Sequence, residues 1–317
     1  MPELPDVVLY VDALRARIVG HALRSLSLRS PFVLRSVTPP LESLTGQVVA
    51  DVQRLGKRIV LMFPEERSLV IHLMIAGRLR WRGPEHTPVS ADVTPSAPRL
   101  AAPRRRAPAR PPAKLTLAIF EFATGRLWFT EAGSKKRAWL RVVQGREALA
   151  ALDPGGIEPL TAGLDEFRHA LTRERHTIKR VLTDPTVVSG IGNAYSDEIL
   201  HAARLSPLKM NDALTDADWS RLHQAVQSTL SHWVERLRAE AAGEFPETVT
   251  AFREDMAVHG RFKQPCPTCG SPVQRIVYTS NECNYCATCQ TGGRLLADRA
   301  LSRLLRDAWP KTVGDMG

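Results

Sequence analysis

The sequence predicts an α+β multidomain protein: a β-sandwich led by a helix, then a helical region, then a cysteine-bearing β-hairpin. Three observations carry this. Short apolar runs separated by turn signals fill the first half, the apolar period becomes helical from about residue 160, and all five cysteines fall between 266 and 289. At 317 residues the chain is long enough for two domains and a fragment.

The elements follow in order. Pro5-Asp6 opens an amphipathic helix with Val7, Tyr10, Val11, Leu14 and Ile18 on one face and Gly20 as its stop. Arg58–Phe63 and Leu69–Met74 flank a Pro-Glu-Glu-Arg turn, and Leu115–Phe122 and Arg126–Thr130 flank Thr124-Gly125, as strands of a sandwich. Residues 84–114, rich in Pro, Ala and Arg, bury too little apolar surface to order themselves and read as a disordered basic insertion. Helical segments are expected over His176–Leu182 and Ala194–Arg204. Thr215-Asp216-Ala217-Asp218 is a capping box, after which Leu222, Val226, Leu230, Trp233 and Leu237 form a packing stripe that Gly243 ends. Leu296, Leu301, Leu304 and Leu305 continue into a packing helix at the end.

The formal net charge is +10, of which the 84–114 segment carries +4. That balance points to a polyanionic partner, nucleic acid first. No stretch is long and apolar enough to span a bilayer and no signal segment opens the chain, so a cytoplasmic protein without a membrane partner is expected.

Chemistry concentrates at three places. Removal of Met1 would leave Pro2 with a free secondary amine, which titrates near pH ~8 and can attack an electrophilic carbon to give an iminium ion; Glu3 beside it is a candidate general acid. Val188-Ser189-Gly190-Ile191-Gly192-Asn193 is either an ordinary turn or a phosphate cradle built on the following helix start. Lys57, in the Gly56-Lys57-Arg58 loop, is either a solvated surface cation or a phosphate contact. Cys266-Pro267-Thr268-Cys269 and Cys286-Ala287-Thr288-Cys289 are two knuckles sixteen residues apart, the spacing of one structural zinc ion closed by four thiolates; Cys283 lies outside both.

Pro2-Glu3-Leu4-Pro5, His72-Leu73, Ile178-Lys179, Gly190-Ile191-Gly192-Asn193-Ala194-Tyr195, His201-Ala202-Ala203-Arg204, Val258-His259-Gly260-Arg261 and the four-cysteine hairpin occur in that order, with Glu198 inside the helical motif. In this combination the chain resembles the formamidopyrimidine-DNA glycosylase and endonuclease VIII family. The resemblance implies an N-terminal catalytic sandwich over 1–150, a helix–two-turn–helix DNA-binding domain over 151–258, a zinc finger over 259–290 and a helical extension over 291–317. It implies a bifunctional glycosylase and abasic-site lyase acting on damaged double-stranded DNA, in the nucleoid if bacterial; a monomer is the simpler expectation for a protein that encloses DNA in a cleft. Pro2 would attack C1′ of an extruded nucleotide, Glu3 would protonate the sugar ring oxygen, and elimination from the iminium would cut the strand. Lys57 would assist and, with Asn193, grip phosphates beside the lesion.

Several positions depart from that pattern. Asp6 stands where the family has glutamate, and Asn281 stands where it has a phosphate-clamping arginine; Arg275 lies on the other limb of the hairpin. Ile75 replaces a void-filling methionine, and Gly133-Ser134-Lys135-Lys136-Arg137-Ala138-Trp139 replaces the segment that holds the wedge. Lys135, Lys136 and Arg137 still suit a DNA backbone, and Trp139 is read as a core strand residue, with a substitute wedge as the alternative. Two readings therefore stand: a glycosylase and lyase with altered lesion choice, or a lesion- or structure-specific DNA-binding homologue with little catalysis. A zinc-ribbon adaptor for proteins would leave Pro2, Glu3 and the glycine turn without a role.

Overall fold

A computed structural model describes residues 1–84, 111–133, 135–247, 249–250, 253–279, 281–296 and 311–316. Most of the basic insertion, and Leu301, Leu304 and Leu305 of the expected terminal helix, lie outside these residues.

Helix α1 (Leu4–Ile18) leads the chain, and Asp6 in its first turn accepts the Glu3 N–H at 2.9 Å. Eight strands follow: β1 (Ser25–Leu28), β2 (Asp51–Leu55), β3 (Arg58–Met62), β4 (Arg67–His72), β5 (Gly77–Arg82), β6 (Thr116–Phe122), β7 (Gly125–Glu131) and β8 (Trp139–Gln144). They form two antiparallel four-stranded sheets in the orders β1-β6-β7-β5 and β2-β3-β4-β8. Both expected hairpins are present, with β4 running from Arg67 to His72 and not from Leu69 to Met74.

The sandwich core takes Val52, Ile59, Leu61, Leu69 and Ile71 from one sheet, Leu79, Phe120, Leu127 and Phe129 from the other, and Val7, Tyr10, Val11, Leu14 and Ile18 from α1. Strands β3 and β4 are nearly continuously buried because both their faces are covered. Val60, Val70 and Val143 point away from the sandwich and pack under Leu149 and Leu152, at and beyond the short helix α2 (Arg146–Ala150).

The helical half contains α3 (Leu164–Leu171), α4 (Ile178–Thr183), α5 (Asn193–Ala202) and α6 (Asp216–Ala241). The α6 box forms as its sequence dictates: Asp218 N–H donates to Thr215 Oγ1 at 3.2 Å and Thr215 N–H to Asp218 Oδ2 at 3.1 Å. Its stripe of Leu222, Val226, Leu230 and Trp233 joins the second core around Phe167, Tyr195 and Ile199. Leu4 belongs to that second core while Val7 belongs to the first, so the opening turn of α1 pins the two halves together. Strands β9 (Gln274–Val277) and β10 (Glu282–Tyr285) make the expected hairpin, followed by α7 (Ala287–Thr291). Leu295 and Leu296 close a third small core over Ile276, Cys283 and Tyr285. No helix among the described residues is long and apolar enough to cross a membrane.

Candidate active site at the junction of two cores

The residues around Glu3 are fixed by backbone geometry. Leu4 N–H donates to Gly190 O at 2.9 Å, which lays the amino terminus against the glycine turn. The Glu3 carboxylate then caps α5: Gly192 N–H and Tyr195 N–H donate to Oε2 at 2.7 and 3.2 Å, and Ala194 N–H donates to Oε1 at 3.0 Å. Free amides and the helix dipole make this terminus an anion site, and the anion there belongs to the protein itself. Of the turn's own amides, the Gly192 N–H is taken by Glu3, as are those of Ala194 and Tyr195 in the first turn of the helix.

Both glycines are required by that approach. Gly190 has φ +81°, and a Cβ there would sit 2.8 Å from Leu4 Cβ. Gly192 has an ordinary φ of −131°, but a Cβ would fall 2.5 Å from Glu3 Oε1 and 2.8 Å from Lys57 Nζ. Lys57 therefore reaches the same point as Glu3 and Gly192, from the two-residue turn between β2 and β3 in which Gly56 takes φ +60°. Burial lowers the Lys57 pKa, opposed by the Glu3 charge. Pro2 is buried and Met1 is 37% exposed; burial lowers the pKa of the Met1 amine.

Asp6, shorter than the family's glutamate, is fully buried yet satisfied. It accepts the Glu3 N–H and the Arg253 guanidinium, the latter at 3.0 Å, and burial raises its pKa. Arg253 was not foreseen from the sequence, because it is 247 residues away in the chain.

Helix α5 carries two more buried acids. Glu198 Oε2 accepts from Ala257 N–H at 2.6 Å, and its Oε1 accepts from Val258 and His259 N–H, each at 2.9 Å. Burial raises its pKa, which these three amides oppose. Asp197 pairs with Lys179 at 2.5 Å and His259 at 2.8 Å and accepts from Asn284 N–H at 3.1 Å. Burial works against the Lys179 charge, but Asp197 outweighs it and the pKa is raised. Asn193 donates its side-chain amide to Glu282 O at 2.8 Å, so one of its two amide hydrogens ties α5 to the hairpin.

The four knuckle cysteines converge. The Sγ atoms of Cys266, Cys269, Cys286 and Cys289 all lie within 4.8 Å of one another, with Cys266–Cys289 at 4.0 Å and Cys269–Cys286 at 3.4 Å. Tetrahedral ligands at about 2.3 Å from one zinc ion would stand roughly 3.8 Å apart, so the set fits a metal. Burial, then contact with neighbouring thiols, pushes Cys286 up to about 11. Cys283 is outside the set, buried in the third core.

The remaining candidates lie outward. Asn281 is exposed at the turn of the hairpin, where its carbonyl accepts from Tyr278 N–H at 2.8 Å. Arg275 is paired with Glu282 at 3.3 Å and stacked 4.2 Å from the centre of the Phe262 ring. Lys135, Lys136 and Arg137 are exposed; Lys136 Nζ donates to Glu131 O, and the Arg137 N–H to the Glu131 carboxylate at 3.0 and 3.1 Å. Ile75 is 61% exposed, beside Met74 at φ +50°.

Trp139 is a strand residue, as expected, and it packs against the outer cluster of Val60, Val70 and Val143 and not in the sandwich core. It is half-buried on the outer face of its sheet, in a row that runs Arg58, His72, Trp139 across β3, β4 and β8. The guanidinium carbons of Arg35, Arg58 and Arg141 lie 6.0, 5.7 and 6.0 Å from its ring. His72 Nδ1 accepts from Met74 N–H at 3.0 Å, which leaves Nε2 to carry the proton. Burial first, then Arg58, Lys57 and Arg35, push its pKa down to about 4, so at neutral pH His72 is an uncharged donor.

The fold and site are those of a β-sandwich and a helical half pinned together by an amino-terminal glutamate, with a four-cysteine cluster beyond. The formamidopyrimidine-DNA glycosylase N-terminal domain model matches residues 1–133, and the formamidopyrimidine-DNA glycosylase H2TH domain model matches 156–241. The formamidopyrimidine-DNA glycosylase of Desulforamulus reducens is 31% identical over 304 residues, covering 92% of this chain and 99% of the relative. A formamidopyrimidine-DNA glycosylase-like protein of Mycobacterium tuberculosis is 41% identical over 151 residues, 48% of this chain and 94% of the relative. Among solved structures, Lactococcus lactis Fpg in complex with DNA containing an abasic site has a TM-score of 0.72 at 24% identity, covering 91% of this chain and 99% of that one. The chain belongs to the formamidopyrimidine-DNA glycosylase family.

Proposed function

We propose that the Pro2 amine, freed by removal of Met1, is the nucleophile of a base-excision-repair DNA glycosylase with abasic-site lyase activity. The glycosylase class follows from the family; the residue roles are our reading. The neutral amine attacks C1′ of an extruded deoxynucleotide and the base leaves as an anion that water protonates; Glu3, a carboxylate held against α5, takes up the proton the attacking amine loses and passes it to the ring oxygen as the C1′–O4′ bond opens to the iminium. The iminium acidifies C2′–H, and loss of that proton expels the 3′ phosphate and breaks the strand. Lys57 lies close enough to Glu3 to stabilise its carboxylate and to contact a phosphate beside the lesion. The second Asn193 amide hydrogen, Asn281 and the Lys135–Arg137 run are assigned to the DNA backbone.

The observation that carries this reading is the Glu3 cap on α5, a buried acid locked one residue from the prospective nucleophile. Mere DNA binding needs no such device, which favours catalysis over the binding-only alternative. The four cysteines would hold one zinc ion, which cross-links the hairpin and takes no part in the reaction. The partner is damaged double-stranded DNA, engaged by a monomer in the cytoplasm, with lesion choice altered by Asn281 and Ile75.

Borohydride trapping on an abasic oligonucleotide tests the nucleophile. The protein is expected to form a covalent adduct in which mass spectrometry finds Pro2 as the linked residue. Glu3→Gln is expected to reduce base release by at least about 100-fold. Linkage at another residue, or undiminished excision by Glu3→Gln, would overturn the assignment.

A further inference from the structure

One contact at the far end of α5 has no part in the reaction above. His201 Nε2 lies 3.3 Å from Cys266 Sγ, and both residues are buried. The ligand set is complete without the histidine, since the four sulfur atoms already converge. A metal-bound thiolate has no proton to give, so a hydrogen bond to it must be donated by the imidazole. We infer that His201 donates its Nε2–H to the Cys266 thiolate of the metal-loaded site and thereby stabilises the bound metal.

The surroundings support a built contact. His201 is in the last turn of α5, and just beyond it the chain is held once more against the cysteine module: Gln290 donates to Leu205 O at 2.8 Å, and its own Oε1 accepts from Cys286 N–H at 2.8 Å. The imidazole thus meets Cys266 while its own helix is anchored to the loop that carries Cys286. Donors outside the ligand shell restrain the thiolate and draw off part of its charge, and their loss commonly lowers metal affinity about 10–100-fold. Because α5 has 10 residues and is therefore about 15 Å long, it bears on Glu3 at one end and on a metal thiolate at the other.

The inference rests on the zinc reading above, and the experiment separates the two. Metal content of the purified full-length protein is measured first; a wild-type protein without zinc would overturn both. Zinc release to a chromogenic chelator is then followed for wild type, His201→Phe and His201→Gln. The Phe variant keeps a ring without a donor and is expected to release zinc about 10–100-fold faster, while the Gln variant, which retains an N–H, lies closer to wild type. Equal rates for Phe and wild type would refute the donor role while leaving the zinc reading intact. Should the Phe variant not fold, nitrogen-15 spectra of histidine in the zinc-loaded wild type decide: a protonated Nε2 with bare Nδ1 supports the inference, and a bare Nε2 overturns it.

Discussion

The seam around Glu3 and the tip of the β9–β10 hairpin are both assigned to DNA chemistry, yet they are built in opposite ways. At the seam, three amides, two glycines without room for a Cβ and a buried Asp6–Arg253 pair fix one acid. At the tip, Asn281 is exposed and its carbonyl accepts from Tyr278 N–H. Groups that must meet a reacting atom need placement to within a fraction of an ångström, whereas a backbone contact tolerates a mobile partner. Substitution is therefore costly at the seam and inexpensive at the tip.

The largest effect should come from removing the metal. Chelation is expected to melt the 266–289 hairpin, seen as lost protection from hydrogen exchange, while the sandwich core keeps its protection; DNA binding should fall with it. Exchange lost equally in both regions would erase the contrast. Arg253→Ala comes next, since it strands a fully buried carboxylate at Asp6. A loss of about 3–5 kcal/mol in denaturant unfolding is expected, and a loss below about 1 kcal/mol would show that the pair is not what secures the seam. Gly192→Ala adds one carbon where Glu3 and Lys57 already stand. Excision should fall by about 100-fold at nearly unchanged DNA affinity. At the small end, Asn281→Arg restores a cation at the tip. It should tighten binding by up to about tenfold and steepen the salt dependence by about one unit of logarithmic slope. A change in the excision rate larger than that in affinity would mean the tip also positions the lesion.

Local features were legible in the sequence. The Thr215–Asp218 box, the stripe from Leu222 to Leu237, both sandwich hairpins and the cysteine knuckles depend on residues a few positions apart, and each formed as the pattern required. The seam was legible only as separate pieces. Glu3 and Gly192 are 189 residues apart, and nothing local to the glycine turn reveals that its amides meet a side chain from the chain's own beginning. Trp139 illustrates a different loss. This residue begins β8 between the buried Ala138 and Leu140, so neighbouring apolar residues give no phase that says which face its ring takes. Arg253 gave no signal, and His201 stood in a quoted fragment without its contact to Cys266 being legible, because each partner comes from a distant element.

Pro2 is already buried in the folded protein, its neighbour Leu4 bonded to Gly190 and sunk in the helical core. An aminopeptidase must grasp an extended, accessible end. If the reactive nitrogen arises by loss of the initiator, that loss belongs to the interval when the first residues have left the ribosome and the glycine turn has not yet been translated. On the proposed role of Pro2, the order of synthesis thereby becomes part of how the protein is made competent: the half of the molecule that buries the amine arrives after the half that bears it.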